Sequence, residues 1–321
     1  MRHLTARQQQ LLQLLSDGEF HSGEQIGQQL AISRAAISQQ IKQLKPLGLD
    51  VYSVTGRGYR LAHPLELLDP KRLTASGVDL FHCIAVIDST NQYMMSRLNE
   101  WQQGECLLAE CQTAGRGRRG REWVSPFAGQ LIMSLYWQLD QGMAAAMGLS
   151  LVVGIVIAEV LREHGYDGIG LKWPNDVYGQ GQKLAGILVE MAATAGGACQ
   201  LVIGAGLNLA MPIQLAEQIS QPWTALQTLR ATPVARNQLT ADIILQLRAA
   251  LQQFERTGLT SFVARWNQFD IYRDQPVRLL LGDREVTGVA RGIDLQGALL
   301  LECDGEVMPF IGGEISLRPL V

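Results

Sequence analysis

Four short segments of this sequence carry residue types suited to work on anions. Gly115-Arg116-Gly117-Arg118-Arg119-Gly120-Arg121 packs three glycines and four arginines into seven residues. Glycine lets backbone N–H groups approach an anion closely, and guanidinium groups neutralise it. No Gly-Lys-Ser/Thr closes the segment, so it is not a Walker loop. As a loop pattern it fits phosphate binding and, equally, a solvated charged loop, a protease-sensitive tip or a nucleic-acid tail. Lys172-Trp173-Pro174-Asn175-Asp176 ends an apolar run in a turn that presents a cation, an amide and a carboxylate. Lys172 suits a phosphate, and Asp176 suits Mg2+ or the orientation of a base; a plain Asn-Asp turn after a buried tryptophan reads the same way.

Lys183 stands before the apolar run 184–189, in a chain with only five lysines (42, 45, 71, 172 and 183). An ammonium at the mouth of a buried strand stabilises a carboxylate and a developing pentavalent phosphorus; taken alone, it also fits a strand-edge lysine facing water. Gly204-Ala205-Gly206-Leu207-Asn208 closes another apolar run. No helix follows, so this Gly-x-Gly reads as close backbone packing rather than a nucleotide fingerprint.

Strand ends must position these segments. Strands are expected at 84–87, 106–110, 131–137, 170–173, 186–191 and 200–207, and helices at 91–100, 143–164, 240–258 and 259–267. Their uneven alternation predicts a mixed α+β sheet over 64–270 rather than a doubly wound one. The stretch 141–158 runs 18 residues without a charge, but its glycines suit a buried core helix better than a membrane span. Beyond Asp270 the pattern becomes short strands at 276–283, 285–292, 298–303, 306–311 and 314–317, with a hairpin turn at Asp304-Gly305. Residues 271–321 therefore predict a small β-barrel of SH3-like size.

Residues 1–63 form a separate module, bounded at Ala62-His63-Pro64. A helix over 5–16 puts Leu11, Leu12, Leu14 and Leu15 inward and stops at Asp17-Gly18. Ser22 and Gln25 stand at capping-box spacing before a short helix, and Ser33 caps the next after the tight Ala31-Ile32 turn. The second of these helices presents Arg34, Ser38, Gln39 and Lys42 to a major groove, and Ser22 and Ser33 at the helix starts are counted with the DNA-binding residues. A hairpin about Gly56-Arg57-Gly58 puts Arg57 at a wing tip. The whole reads as a winged helix-turn-helix; a small helical packing domain is the alternative. The module holds seven basic and four acidic residues, while the full chain has a net charge of −3. A basic module on an acidic body suits a polyanion partner. His3, His21 and His63 read as isolated surface residues.

The 321 residues, 47% hydrophobic and 18% charged, exclude a disordered or collagenous chain and suit two or three domains. Five scattered cysteines without a CxxC pair indicate neither a zinc ribbon nor a disulfide framework and fit reduced thiols in a cytoplasm. No signal peptide is visible.

The four segments, in this order and behind a winged helix, resemble the bifunctional biotin–protein ligases and biotin operon repressors of bacteria. The resemblance spans essentially the whole chain, and Asp88-Ser89-Thr90-Asn91 also matches it. It implies a central biotin/lipoate ligase-type catalytic domain. It further implies that biotin and Mg2+-ATP give biotinyl-5′-AMP, whose biotinyl group passes to a lysine of the biotin carboxyl carrier protein of acetyl-CoA carboxylase. The adenylate then serves as corepressor of a homodimer on operator DNA of biotin synthesis genes. The resemblance assigns Ser89, Thr90, Asn91, Gln112, Gly115, Arg116, Gly117, Arg118, Lys183 and Gly186 to biotin. It assigns Arg116, Gly117, Arg118, Arg119, Arg121, Lys172, Asn175, Asp176, Asn208 and Trp223 to ATP or the adenylate. Lys183 and Arg118 carry the catalytic roles, and Asp176 the metal. Two rivals stand beside this reading: a lipoate–protein ligase, and a ligand-sensing repressor without ligase activity.

Overall fold

A computed structural model describes residues 4–193, 197–212, 215, 217–282, 284–311 and 315–320. The N-terminal module follows its local signals. Helices α1 (Ala6–Leu15), α2 (Gly23–Leu30) and α3 (Arg34–Leu44) are capped by Thr5, Ser22 and Ser33. Thr5 and Ser22 form full capping boxes with Gln8 and Gln25. Each cap satisfies N–H groups that a helix start leaves unpaired, so these three termini are fixed by neighbours in sequence. Ala31 takes a left-handed conformation, φ 52°, which makes the turn into α3 tight. Strands β1 (Val51–Val54) and β2 (Gly58–Leu61) pair antiparallel as the wing. His21 is not isolated, as the sequence had suggested. It exchanges two 2.9 Å backbone hydrogen bonds with Tyr59 of the wing, and its ring meets Asp17 at 2.9 Å. Leu11, Leu12, Leu15, Ile26, Ile37, Ile41 and Leu44 form the module's core. That core runs on into Val86, Cys111 and Phe127 of the next unit, so the two share one apolar interior.

The central unit opens with α4 (Pro70–Ala75) and is built on β3 (Phe81–Ile87), β4 (Cys106–Gln112), β5 (Gln130–Leu139), β6 (Ile169–Lys172), β7 (Asp176–Gly179), β8 (Gln182–Ala193) and β9 (Cys199–Asn208). Their order is β3-β4-β5-β9-β8-β7-β6. β3 and β4 run parallel and every other neighbour pair antiparallel, a mixed sheet as expected. α5 (Thr90–Met95) packs with Ile132, Tyr136 and Val202 on one side. α6 (Leu149–Glu163) packs in the main core with the long C-terminal helix named below.

Several boundaries move from those expected. The helix foreseen at 143–164 begins at Leu149, because Gly148 is left-handed (φ 80°) and residues Met143–Ala146 form a separate 3-10 turn. Eleven of the fifteen residues of α6 are buried, so the uncharged stretch is a core helix. The helix foreseen at 91–100 stops at Met95, with only a 3-10 turn at Leu98–Glu100 after it. β7 was not foreseen.

After the one-turn helix α7 (Leu226–Leu229) come α8 (Arg236–Thr257) and α9 (Val263–Phe269). The C-terminal strands β10 (Pro276–Leu281), β11 (Arg284–Ile293), β12 (Leu299–Cys303), β13 (Glu306–Phe310) and β14 (Ile315–Pro319) form one antiparallel sheet, ordered β13-β12-β11-β10-β14. Asp283 and Glu314, foreseen in this region's strands, lie outside the described residues. Val277, Leu279, Leu299, Leu301 and Leu317 pack into the same core as α6, which anchors this sheet beside the central one.

Candidate functional site

One cleft gathers residues from seven places in the chain. Ser89, Thr90 and Asn91 come from the start of α5, Gln112 from the end of β4, and Arg116 to Trp123 from the loop beyond it. Lys172 to Asp176 come from the β6–β7 turn, Lys183 and Gly186 to Leu188 from β8, and Gly204 to Gly206 from β9. Leu317 and Arg318 of β14 complete the wall. Seven cationic side chains line it against two carboxylates, Glu122 and Asp176, so the cleft is built for anions.

At one end the groups are neutral. The Gln112 carboxamide oxygen accepts from the Thr90 N–H at 2.8 Å and lies 3.1 Å from the Thr90 hydroxyl. Ser89 caps α5 by accepting from the Gln92 N–H. The floor here is made by missing atoms. A Cβ on Gly204 would lie 2.2 Å from the Asn91 side-chain oxygen, and one on Gly206 would lie 2.7 Å from the Trp123 indole. The indole N–H donates to the Gln130 carboxamide oxygen at 3.0 Å, which holds the ring flat over the strands. The result is a narrow, largely apolar slot with a few fixed donors and acceptors.

At the other end the groups are charged. Lys183 Nζ meets Asp176 Oδ1 at 2.7 Å. Arg118 donates to the Asn175 side-chain oxygen at 2.9 Å, and the Asn175 amide donates to the Ile187 carbonyl at 2.9 Å, which ties loop and turn to β8. Burial first, and Arg119 second, hold the Arg118 guanidinium below its usual value. Lys172 is 5% exposed and donates to the Tyr178 hydroxyl at 3.1 Å. Burial above all, then Arg318, pulls its ammonium down to about 8. No group of three or more His, Cys, Asp or Glu side chains suited to a metal stands among the described residues. Asp176, with Asn175 beside it, fits a Mg2+ carried in on a polyphosphate, since that ion keeps waters and phosphate oxygens and needs few protein ligands.

Most of the residues singled out in the sequence therefore meet in this cleft. Three do not line it. Gly115 lies behind the loop against Gln112 and Trp123. Asn208 is buried and hydrogen-bonds Gln130 and the Thr224 carbonyl, a bracing position. Trp223 is half-buried on the segment bridged to Lys183. Sequence reasoning missed Trp123, Ser134, Glu190 and Arg318. A tryptophan two residues after Arg121 was a usable signal, but Arg318 carries none, because it arrives from another sheet.

In the winged module Arg34, Gln39, Lys42 and Arg57 are exposed, and Ser38 is half-buried. Ser22 and Ser33 use their side-chain oxygens to cap helices. Arg57 stacks 4.2 Å over the Phe20 ring, which holds the wing tip.

Three family descriptions match the chain in turn: an HTH domain over residues 7–60, the Biotin/lipoate A/B protein ligase family over 83–208, and the Biotin protein ligase C terminal domain over 274–318. The Bifunctional ligase/repressor BirA of Salmonella typhimurium is 53% identical, with 96% of both chains covered. This chain belongs to the BirA family of bifunctional ligase/repressors. The BirA of Escherichia coli is 51% identical over the same share of both chains. The Biotin--[acetyl-CoA-carboxylase] ligase of Mycobacterium tuberculosis is 33% identical over 80% of this chain and 97% of its own. Among solved structures, the biotin protein ligase from Aquifex aeolicus in complex with biotin and ATP superposes with a TM-score of 0.64 at 27% identity, covering 76% of this chain and all of that one. Both the enzyme half and the DNA-binding half of the BirA family plan are thus present.

Proposed function

We propose that this protein is an ATP-dependent biotin–protein ligase that also represses biotin synthesis genes, and that the single cleft does the chemistry. The observation that carries the reading is the pairing, in one cleft, of a neutral slot with an anion-binding wall, Lys183 standing between them. Biotin has a neutral ureido ring and an apolar tail that end in a carboxylate. Ser89, Thr90, Gln112 and the Arg116 backbone suit the ring, and Gly186, Gly204 and Gly206 leave space for the tail.

The carboxylate oxygen attacks the α-phosphorus of ATP, the bond to the bridging β-phosphate oxygen breaks, and pyrophosphate leaves. Two anions must approach, so cations that strengthen their hold as charge develops lower the barrier. Lys183 and Arg118 are the groups we assign to that work, with Arg116, Arg119 and Arg121 over the adenylate and Lys172 toward pyrophosphate. Mg2+ bound with ATP neutralises phosphate charge; Asn175 and Asp176 are placed to receive it. Adenine is assigned to the side of the cleft nearest Trp223, with Asn208 bracing that side from behind. In the second half-reaction the amine of an acceptor lysine attacks the acyl carbon and AMP departs. The acceptor is a lysine of the biotin carboxyl carrier protein of acetyl-CoA carboxylase.

The N-terminal module, 1–63, binds operator DNA through Arg34, Ser38, Gln39, Lys42 and Arg57 with the helix starts at Ser22 and Ser33. The adenylate acts as corepressor of a homodimer in the cytoplasm. We divide the remainder at residue 270 into the catalytic unit and the C-terminal sheet. Incubation of the full chain with biotin, Mg2+-ATP and a carrier-protein domain is expected to raise the carrier's mass by one biotinyl group; an unchanged carrier refutes the ligase reading. Lipoate in place of biotin is expected to leave the carrier unmodified, in line with the biotin-type C-terminal match.

Two results are expected from this assignment. Gly204→Ala drives a methyl into the Asn91 carboxamide, and biotin affinity falls by about tenfold or more, as expected for a collision of 1–3 kcal/mol, with KM for ATP unchanged. Titration calorimetry with biotin checks it. The second is a pH effect. Lys172 is charged below about 8 and neutral above it. Its grip on phosphate is therefore present at neutral pH and lost as pH rises through about 8, well before that of an ordinary lysine. KM for ATP climbs across that range, and in Lys172→Met the climb disappears.

A further inference from the structure

Arg116 reaches out of the Gly/Arg loop and donates to Glu190 Oε2 on β8 at 2.8 Å. The same carboxylate oxygen accepts from the Asn91 side-chain amide at 3.0 Å. Asn91 is 4% exposed, and its second amide proton goes to the Leu188 carbonyl at 3.1 Å. On its other side the Asn91 oxygen lies 2.6 Å from the Ser134 hydroxyl, which is itself 2.7 Å from the Thr90 hydroxyl. Thr90 in turn binds Gln112. One assignment of protons satisfies this row: Thr90 donates to Ser134, Ser134 to Asn91, and Asn91 to Glu190. An unbroken chain of hydrogen bonds thus runs from the ureido-reading residues to a carboxylate that also holds the loop.

We propose that Glu190 is a positioning residue: its carboxylate latches the Gly/Arg loop over the biotin end of the cleft and fixes Asn91 and its neighbours in the geometry that reads the ring. This rests on the reading of the cleft given above and adds to it. Glu190 does not line the cleft and makes no contact with reacting atoms. Its side chain is 25% exposed and that of Arg116 38%, so water competes for the pair but does not dissolve it. A charge-assisted bond shared between two donors, one of them buried, is stronger than an open surface pair. The bond ties the loop to β8 beside Asn91, at the neutral end of the cleft. Opening it therefore changes how long biotin and its adenylate stay, and leaves ATP recognition alone.

Glu190→Gln keeps the size and removes the charge. In the full chain it is expected to raise the dissociation rates of biotin and of biotinyl-5′-AMP by about tenfold, with KM for ATP within about twofold of native, as for loss of one charge-assisted hydrogen bond. Arg116→Gln is expected to raise the biotin dissociation rate by the same factor; KM for ATP is compared only in Glu190→Gln, because Arg116 is also placed over the adenylate. The double variant is expected to be no worse than either single one, because both remove one interaction. Glu190→Asp, tested in parallel, restores part of the retention and shows that charge rather than packing is measured.

Fully additive effects of the two single changes overturn the latch. So does an unchanged dissociation rate in a Glu190→Gln protein whose melting temperature is native, or an equal rise in KM for ATP. Failure of the native chain to bind biotin at all strikes instead at the proposed function.

Discussion

Replacing Lys183 by alanine is expected to slow formation of biotinyl-5′-AMP by about 10²–10³-fold, the usual effect of removing one group that stabilises a transition-state charge. The loss falls on the rate rather than the fold. The backbone of Lys183 is what pins the Trp223 segment: its N–H donates to the Pro222 carbonyl at 3.2 Å, and its carbonyl accepts from the Thr224 N–H at 2.9 Å. Alanine keeps both. Asp176, which loses its 2.7 Å partner, has a side chain 19% exposed and can be hydrated. Transfer from preformed adenylate to the carrier lysine needs no approach of two anions and is expected to suffer less. Single-turnover pyrophosphate release measures the first step, and carrier biotinylation from supplied adenylate measures the second. Native pyrophosphate release in Lys183→Ala removes this residue from the mechanism.

The largest effect on stability is expected away from the cleft. Arg236, at the start of α8, is 2% exposed. It donates to the buried Glu110 carboxylate, to the Glu66 carbonyl at 3.0 Å and to the Gln130 carbonyl at 2.8 Å. Glu110 also accepts from the Leu68 N–H at 2.7 Å. One guanidinium thereby joins the segment leaving the winged module, the end of β4 and the start of β5.

Arg236→Met leaves Glu110 charged and buried without its counter-ion, and such breaks cost about 3–5 kcal/mol. Urea unfolding of the native chain and of the variant measures it. Arg236→Met combined with Glu110→Leu is expected to recover much of the loss, since a buried pair replaced by apolar groups often costs little. If the single change costs under about 1 kcal/mol, water reaches Glu110 and the clamp is weak.

These two residues mark what a sequence discloses and what it does not. The helix starts at Thr5, Ser22 and Ser33 were legible because cap and capped N–H lie within three residues. The Gly/Arg loop and Lys183 were legible because their composition is rare in this chain. The Arg236–Glu110 pair was not, since its partners are 126 residues apart and either looks like an ordinary surface charge. β7 escaped notice because a four-residue strand starting at Asp176 and ending at Gly179 has no apolar alternation to announce it; only pairing with β6 and β8 makes it a strand. The start of α6 shifted for a local reason, the left-handed Gly148, whose backbone choice the apolar run around it concealed. Trp123 was missed because its place depends on the facing glycines of β8 and β9, which the sequence alone does not bring together.

Those glycines set a bound on redesign. A binding cavity is ordinarily widened by trimming a side chain, but Gly204 and Gly206 have nothing left to trim, and Gly186 opposes Gly206 across the sheet. Mutation can only narrow this part of the protein. A bulkier vitamin analogue must therefore gain its room from above, by shortening Trp123 or Asn91, and each of those changes also disturbs a hydrogen-bonded neighbour. Selectivity for the natural vitamin is in this sense written into the main chain.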